Sequence, residues 1–161
     1  MAKQHQLEAK FWSALQSDRT MMVGLANGKG GNFKPLTAVM EDSERTIWFF
    51  TAKNTEMVTT LGADREPAIA TFASKDHDLF ATVNGQLRVD NDRSVIERLW
   101  NPFIAAWYEG GKDDPMLALL RFDPDDAEIW LNENSFLAGL KMLFGVDPKK
   151  DYRDKVATVD L

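Results

Sequence analysis

The chain has 161 residues, of which 44% are hydrophobic and 27% charged, and it carries a formal net charge of −6 with no cysteine. That length suits a single domain, residues 1–161, with a sizeable core, and the lack of cysteine excludes disulfides and thiolate chemistry. The acidic balance, with no Lys/Arg-dominated segment, argues against nucleic acid or an anionic membrane as partner.

No apolar run reaches the length of a membrane-spanning helix, and Met1–Gln6 lacks the apolar core of a signal peptide, so a cytoplasmic protein is expected. Leu7, Phe11 and Leu15, widened by Ala14, form one helical stripe that ends at Ser17-Asp18-Arg19. Thr20–Ala26 reads as a strand, and Asn27–Asn32 as a glycine-rich turn. Lys34–Met40 and Thr46–Thr51 read as a hairpin joined by the polar Glu41–Arg45. Asn54 or Thr55 caps a short helix carrying Met57, Val58 and Leu61, closed by Gly62.

Pro67–Ser74 is a strand rich in small residues. Leu79–Val89 is a longer one, interrupted by Asn84-Gly85, where a bulge or a close backbone approach is expected. Asp92 caps a helix with Val95, Ile96 and Leu99 on one face. Asn101–Gly111 is aromatic and either helical or irregular. Met116–Phe122 reads as a strand, Asp123–Asp126 as a turn and Ala127–Leu131 as another strand. Ser135–Phe144 has an apolar stripe at Phe136, Leu140 and Phe144, and Val146 onward reads as a charged tail. Six or seven strands at near-regular spacing favour a barrel or sandwich over a parallel α/β sheet.

Several patterns carry little chemistry. The Gly-rich turn lacks P-loop spacing. His5 falls at an N-terminus expected to fray, and His77 in a solvated turn. Two distant histidines without cysteine do not make a zinc site, and no metal is expected. No Ser-His-Asp arrangement can be built around His77, and the acidic clusters read as polar turns. Trp48, Trp100 and Trp107 read as core or interface anchors.

Lys34 at a strand start suits a phosphate as a mobile point charge, and Thr37 offers a hydroxyl, although an ordinary surface strand gives the same pattern. The ordered set of segments resembles the pyridoxamine 5′-phosphate oxidase-like split barrels, closest to their general stress protein 26 branch. Lys34-Pro35-Leu36-Thr37 stands where that branch has Arg-Pro-Met-Thr, and Trp48-Phe49-Phe50-Thr51 matches its aromatic strand. Asn84-Gly85, Leu99-Trp100, Trp107–Pro115, and Arg121 through Ala127-Glu128-Ile129-Trp130 follow in the family's order, so the likeness covers residues 7–131.

The resemblance implies a mainly β (α+β) fold, a six-stranded split β-barrel with short peripheral helices. It also implies a homodimer holding FMN at the interface, with FAD as the alternative flavin. On that pattern Lys34 and Thr37, with residues at the start of the helix after Thr51, meet the phosphate. Pro35 and Leu36 continue that wall, backbone groups of Phe49 and Phe50 line the ring, and the partner supplies Trp130. No catalytic side chain is implied.

One departure stands out. Where the family has Ser-x-Lys, this chain has Thr55-Glu56-Met57. Thr55 replaces the serine, but Met57 carries no charge. Loss of one charge-assisted hydrogen bond weakens binding roughly ten- to a hundredfold unless Lys53 substitutes. Three readings follow: an FMN-dependent oxidoreductase, a non-catalytic flavin carrier, or a cofactor-free barrel serving interactions. Genuine pyridoxamine phosphate oxidation is disfavoured, because Asp151–Lys155 does not reproduce the basic substrate motif.

Overall fold

The computed structural model describes residues 2–41, 44–132 and 156–161. The expected helix at 135–144, the tail segment 146–155, and Asp42-Ser43 of the hairpin connection lie outside the described residues.

Among the described residues, seven strands form one antiparallel sheet. They are β1 (Thr20–Leu25), β2 (Lys34–Val39), β3 (Ile47–Ala52), β4 (Glu66–Ala73), β5 (Leu79–Val89), β6 (Leu117–Leu131) and β7 (Val156–Asp160). Their order is β3-β2-β1-β4-β5-β6-β7, and a further β3–β6 pairing closes the first six into a barrel. Closure leaves those strands no free edge along their paired lengths.

Side chains alternate across the barrel wall, as a pleated strand requires. Inward residues such as Ala38, Ile47, Phe49, Ala118, Leu120 and Phe122 join the main core. Their outward neighbours Val39, Trp48, Leu117 and Leu119 build a second cluster under α3 (Arg93–Leu99), whose Val95, Ile96 and Leu99 complete it.

Helix α1 (Ala2–Ser17) buries Leu7, Phe11 and Leu15 in the main core, and the Phe11 ring meets Phe72 edge-on at 6.2 Å. His5 lies inside this helix rather than in a frayed end, with Nδ1 3.9 Å from Glu8. Helix α2 (Glu56–Leu61) starts at Thr55, whose Oγ1 accepts the Val58 N–H at 3.3 Å, and ends at Gly62 with φ 54°. Asp92 caps α3 by accepting from Ser94, and those hydrogen bonds hold its carboxyl below the usual aspartate value.

Two segments differ from the sequence reading. Residues 117–131 form one continuous strand, with no turn at Asp123–Asp126. The register against β5 jumps from Asn84↔Asp126 to Gly85↔Pro124, so Asp125 is the extra residue of a bulge. A bulge tolerates the proline that would break a regular ladder. The polar run is satisfied within the sheet: Asn84 Nδ2 donates to Asp126 at 2.8 Å, and Arg121 Nε donates to Asp123 at 3.0 Å. The second difference is the end of the expected charged tail, which forms β7. It pairs Val156–Asp160 with Asp126–Trp130 on the edge of β6 that β3 leaves uncovered beyond Phe122.

Gly85 carries both features expected of it. The bulge sits at Asn84/Gly85, and a Cβ there would strike the Asp123 carbonyl oxygen, with the Phe122 ring at 2.8 Å.

Candidate functional site

Among the described residues, the barrel wall opens between β2 and β3. Strands β2 and β3 share only two residue pairs, Ala38↔Phe49 and Val39↔Trp48. Beyond them the strands part. Lys34–Thr37 pair with β1 alone, and Phe50–Ala52 pair with β6 alone. Each strand therefore turns one backbone edge, without ladder partners, toward the gap, and such edges need hydrogen-bonding partners.

A groove of about 650 Å³ occupies this opening. That size falls within the range of small-molecule sites. Pro35, Leu36, Thr37 and Val39 form one wall; Phe50, Thr51, Ala52 and Thr55 form the other. The roof comes from α4 (Pro102–Ala105) and the turn after it, through Asn101, Phe103, Ile104, Trp107 and Tyr108. Asn101 fixes the start of α4: its Oδ1 accepts the N–H groups of Phe103 at 2.9 Å and Ile104 at 3.0 Å.

Behind the groove, Phe50 meets Trp100 edge-on at 6.0 Å, and Trp100 meets Tyr108 at 6.3 Å. Burial, aided by the nearby Asp114 charge, raises the Tyr108 phenol above its usual pKa, so it remains a neutral donor at physiological pH. Asp114 holds the following loop by accepting the Met116 N–H at 2.9 Å and the Gly110 N–H at 3.0 Å. These bonds depress its carboxyl. Phe103 and Trp107 stand at the rim, 85% and 84% exposed. An apolar slot with free backbone edges, hydroxyls and an aromatic roof suits a flat molecule with one polar edge.

Of the residues singled out from sequence, Pro35, Leu36, Thr37, Phe50, Thr51 and Thr55 meet in this groove. Lys34 and Lys53 are exposed and stand at the strand ends, outside its lining. Phe49 is fully buried in the barrel core, so only its backbone is near the opening. Met57 is 3% exposed and packs into the main core from α2. Trp130 lies away from the groove, on the outer sheet face with Thr20, Met22, Thr71, Phe80 and Thr82.

Sequence reasoning missed Arg19 and the Asn101–Tyr108 roof as groove residues. The density of aromatic side chains in 100–108, preceded by an Asn-Pro helix start, was the available signal for the roof. Arg19 carried none, since only the β1–β2 register brings it beside Thr37.

The family model described as pyridoxamine 5′-phosphate oxidase like matches residues 6–152. This chain belongs to that family. Among solved structures of the family, a general stress FMN/FAD binding protein from Xanthomonas citri is 53% identical, with 81% of this chain and 92% of that chain covered and a TM-score of 0.75. A protein from Jannaschia sp. CCS1 described as a general stress protein 26 is 28% identical, with 98% and 99% covered and a TM-score of 0.80. General stress protein 26 of Bacillus subtilis is 29% identical over 52 residues, which is 32% of this chain and 36% of that protein. The six-stranded closed barrel of this chain is the split-barrel fold expected for the pyridoxamine 5′-phosphate oxidase-like family. Among the described residues no helix is long and apolar enough to cross a membrane, and no three or more His, Cys, Asp or Glu side chains cluster so as to hold a metal ion.

Proposed function

We propose that this chain is a flavin-binding stress protein that takes FMN in the β2–β3 opening. The observation that carries the reading is the opening itself: two backbone edges left without ladder partners face an apolar slot. A flavin ring has apolar faces and a hydrogen-bonding pyrimidine edge, and both chemistries are present there. The hydroxyls of Thr37, Thr51 and Thr55 can donate to the polar parts of the ligand. Lys34 and Lys53 add positive charge where the strands end, suited to a phosphate tail. The FMN/FAD-binding description of the Xanthomonas citri relative supports the same reading.

A bound flavin would supply the hydride and single-electron chemistry. The chain itself binds the ligand, orients it and excludes water with its aromatic roof. An oxidoreductase role follows from that division of labour.

The proposal extends to a homodimer in which the partner's Trp130 closes over the groove. It accounts for two apolar surfaces at once. Phe103 and Trp107 stand exposed at the groove rim, and Met22, 39% exposed, shares the outer face of Trp130.

Purified protein examined in the flavin absorbance bands and titrated with FMN tests the reading. Saturable binding with bound-flavin spectra is expected. No bound flavin and no saturation at millimolar FMN would overturn it. Reduced holoprotein offered oxygen and quinones should turn over; binding without turnover makes the chain a carrier. Sedimentation at micromolar concentration should give twice the 18.2 kDa chain mass, and a clean monomer would contradict the shared site.

A further inference from the structure

The chain contains two Asn-Gly pairs, Asn27-Gly28 and Asn84-Gly85. In such a pair the glycine nitrogen can attack the side-chain amide carbon of the preceding asparagine, because glycine has no Cβ to obstruct the five-membered ring that forms. The fold treats the two pairs oppositely.

Asn84-Gly85 is held in the sheet. Both residues lie within β5 and pair on both sides, with Ile69 and Ala68 of β4 and with Asp126 and Pro124 of β6. Asn84 Nδ2 donates to Asp126 Oδ1 at 2.8 Å, which ties the side chain to β6. Beside Gly85, the Asp123 carbonyl oxygen and the Phe122 ring fill the space. Ring closure there would require the strand to leave its ladders.

Asn27-Gly28 lies in the turn between β1 and β2, and both residues are exposed. Gly28 has φ 76°, and a Cβ added to it would meet nothing within 4 Å. Asn27 Oδ1 accepts the Lys29 N–H at 2.9 Å. That bond folds the side chain back along its own main chain and draws electron density from Cγ. Among the described residues no group binds Asn27 Nδ2, the atom that must depart. The Gly28 N–H donates to the Leu25 carbonyl oxygen in a turn bond 3.2 Å long, which the attack must give up.

We propose that Asn27 is a self-modification site that deamidates through a cyclic imide closed by Gly28, while Asn84 stays intact in the folded chain. The Gly28 nitrogen loses its proton to base and bonds to Asn27 Cγ; the Cγ–Nδ2 bond breaks and ammonia leaves. Water then opens the ring. Cutting the bond to Cγ leaves an aspartate, and cutting the bond to the main-chain carbonyl leaves an isoaspartate with one more methylene in the backbone. The sum is amide plus water going to carboxylate plus ammonium, with no oxidant or reductant.

The new carboxylate enters a turn that already abuts another. A Cβ on Gly31 would strike the Glu56 carboxylate, and one on Gly30 would lie 3.4 Å from Met57 Cα. The turn therefore rests on the start of α2, next to Thr55 of the groove, and leads into β2 at Lys34. On the flavin reading, on which this consequence rests, the added charge opposes the phosphate tail.

The test is incubation of the full chain in mildly alkaline buffer, folded and in urea, followed by trypsin digestion and mass spectrometry. Asn27 and Asn84 fall in separate peptides, residues 20–29 and 76–88. In the folded chain the first peptide should gain about one dalton and show an isoaspartate form, while the second stays unchanged. In urea both should react at similar rates. The folded rate at Asn27 should rise about tenfold per pH unit, because the Gly28 nitrogen reacts after losing its proton. Asn27→Gln should abolish the change. Asn84 reacting as fast as Asn27 in the folded chain, or Asn27 intact when its urea-unfolded counterpart has converted, overturns the proposal. In Asn27→Asp, FMN affinity should fall about twofold at low salt while riboflavin affinity holds, the effect of one screened charge. An unchanged FMN-to-riboflavin ratio overturns the consequence for the cofactor. Fresh chain that takes up no FMN would instead defeat the flavin reading and leave the Asn27 site standing.

Discussion

Two seams of one barrel have opposite characters. The β5–β6 seam runs through eleven residue pairs from Leu79↔Leu131 to Val89↔Leu120, interrupted only by the bulge at Asn84/Gly85. The β2–β3 seam has two pairs and then opens. The long seam satisfies its backbone internally and contributes mainly to stability. The short seam leaves backbone groups exposed in a slot, which binding could satisfy. On the proposed reading, stability and function divide between ladders of the same sheet, and substitutions in the two seams should separate accordingly.

The largest effect is expected beside the long seam. Phe122 is fully buried, pairs with Leu87 and lies 6.5 Å from the Phe49 ring. Phe122→Ala should cost about 3–5 kcal/mol of unfolding free energy in urea titration. Gly85→Ala comes next. Its new methyl would meet the Asp123 carbonyl and the Phe122 ring, both in tightly packed surroundings, and a loss of about 1–3 kcal/mol is expected. A stability change within about 0.5 kcal/mol would show that the close approach does not matter.

The short seam should respond in the opposite sense. Thr37 is exposed, so Thr37→Ala should leave stability within about 0.5 kcal/mol of the parent. Its FMN affinity should nonetheless fall about fivefold, the worth of one neutral hydrogen bond. A large stability loss without an affinity loss would erase the distinction between the seams.

The smallest effect concerns acid. The Asp114 carboxyl is depressed in the folded chain, chiefly by the Met116 N–H and then by the Gly110 N–H. A depressed carboxyl contributes stability that is fully present above the ordinary aspartate value of about 4 and is lost as pH falls through the folded value. The Gly110 and Met116 amide resonances should therefore titrate below about pH 4. Asp114→Ala should abolish that titration. A transition centred above pH 5 would contradict the assignment.

Much of this architecture could be read in the sequence, because it is encoded locally. The α1 stripe, the Thr55 and Asp92 caps and the bounds of β5 follow from periodicity and capping residues. The failures are non-local. Asp123-Pro124-Asp125-Asp126 has the composition of a turn, yet Asn84, Gly85 and Arg121 hold it in a strand. Val156–Asp160 forms a strand because the second half of β6 offers a free edge. At the candidate groove, the facing segments of β2 and β3 stand out in the sequence as motifs. Arg19 does not, because the residue that ends a helix gains its place beside Thr37 only through strand pairing. Met57, uncharged where the resemblance implies a lysine, has its side chain 3% exposed inside the core.

Hydrogen–deuterium exchange of the full chain, with and without saturating FMN, addresses the open seam itself. Backbone amides of Leu36, Thr37, Thr51 and Ala52, together with the Asn101–Tyr108 roof, should slow on FMN addition, while the β5–β6 ladder stays unchanged. Protection that falls elsewhere, or none at saturating FMN, would contradict placement of the flavin in the β2–β3 opening.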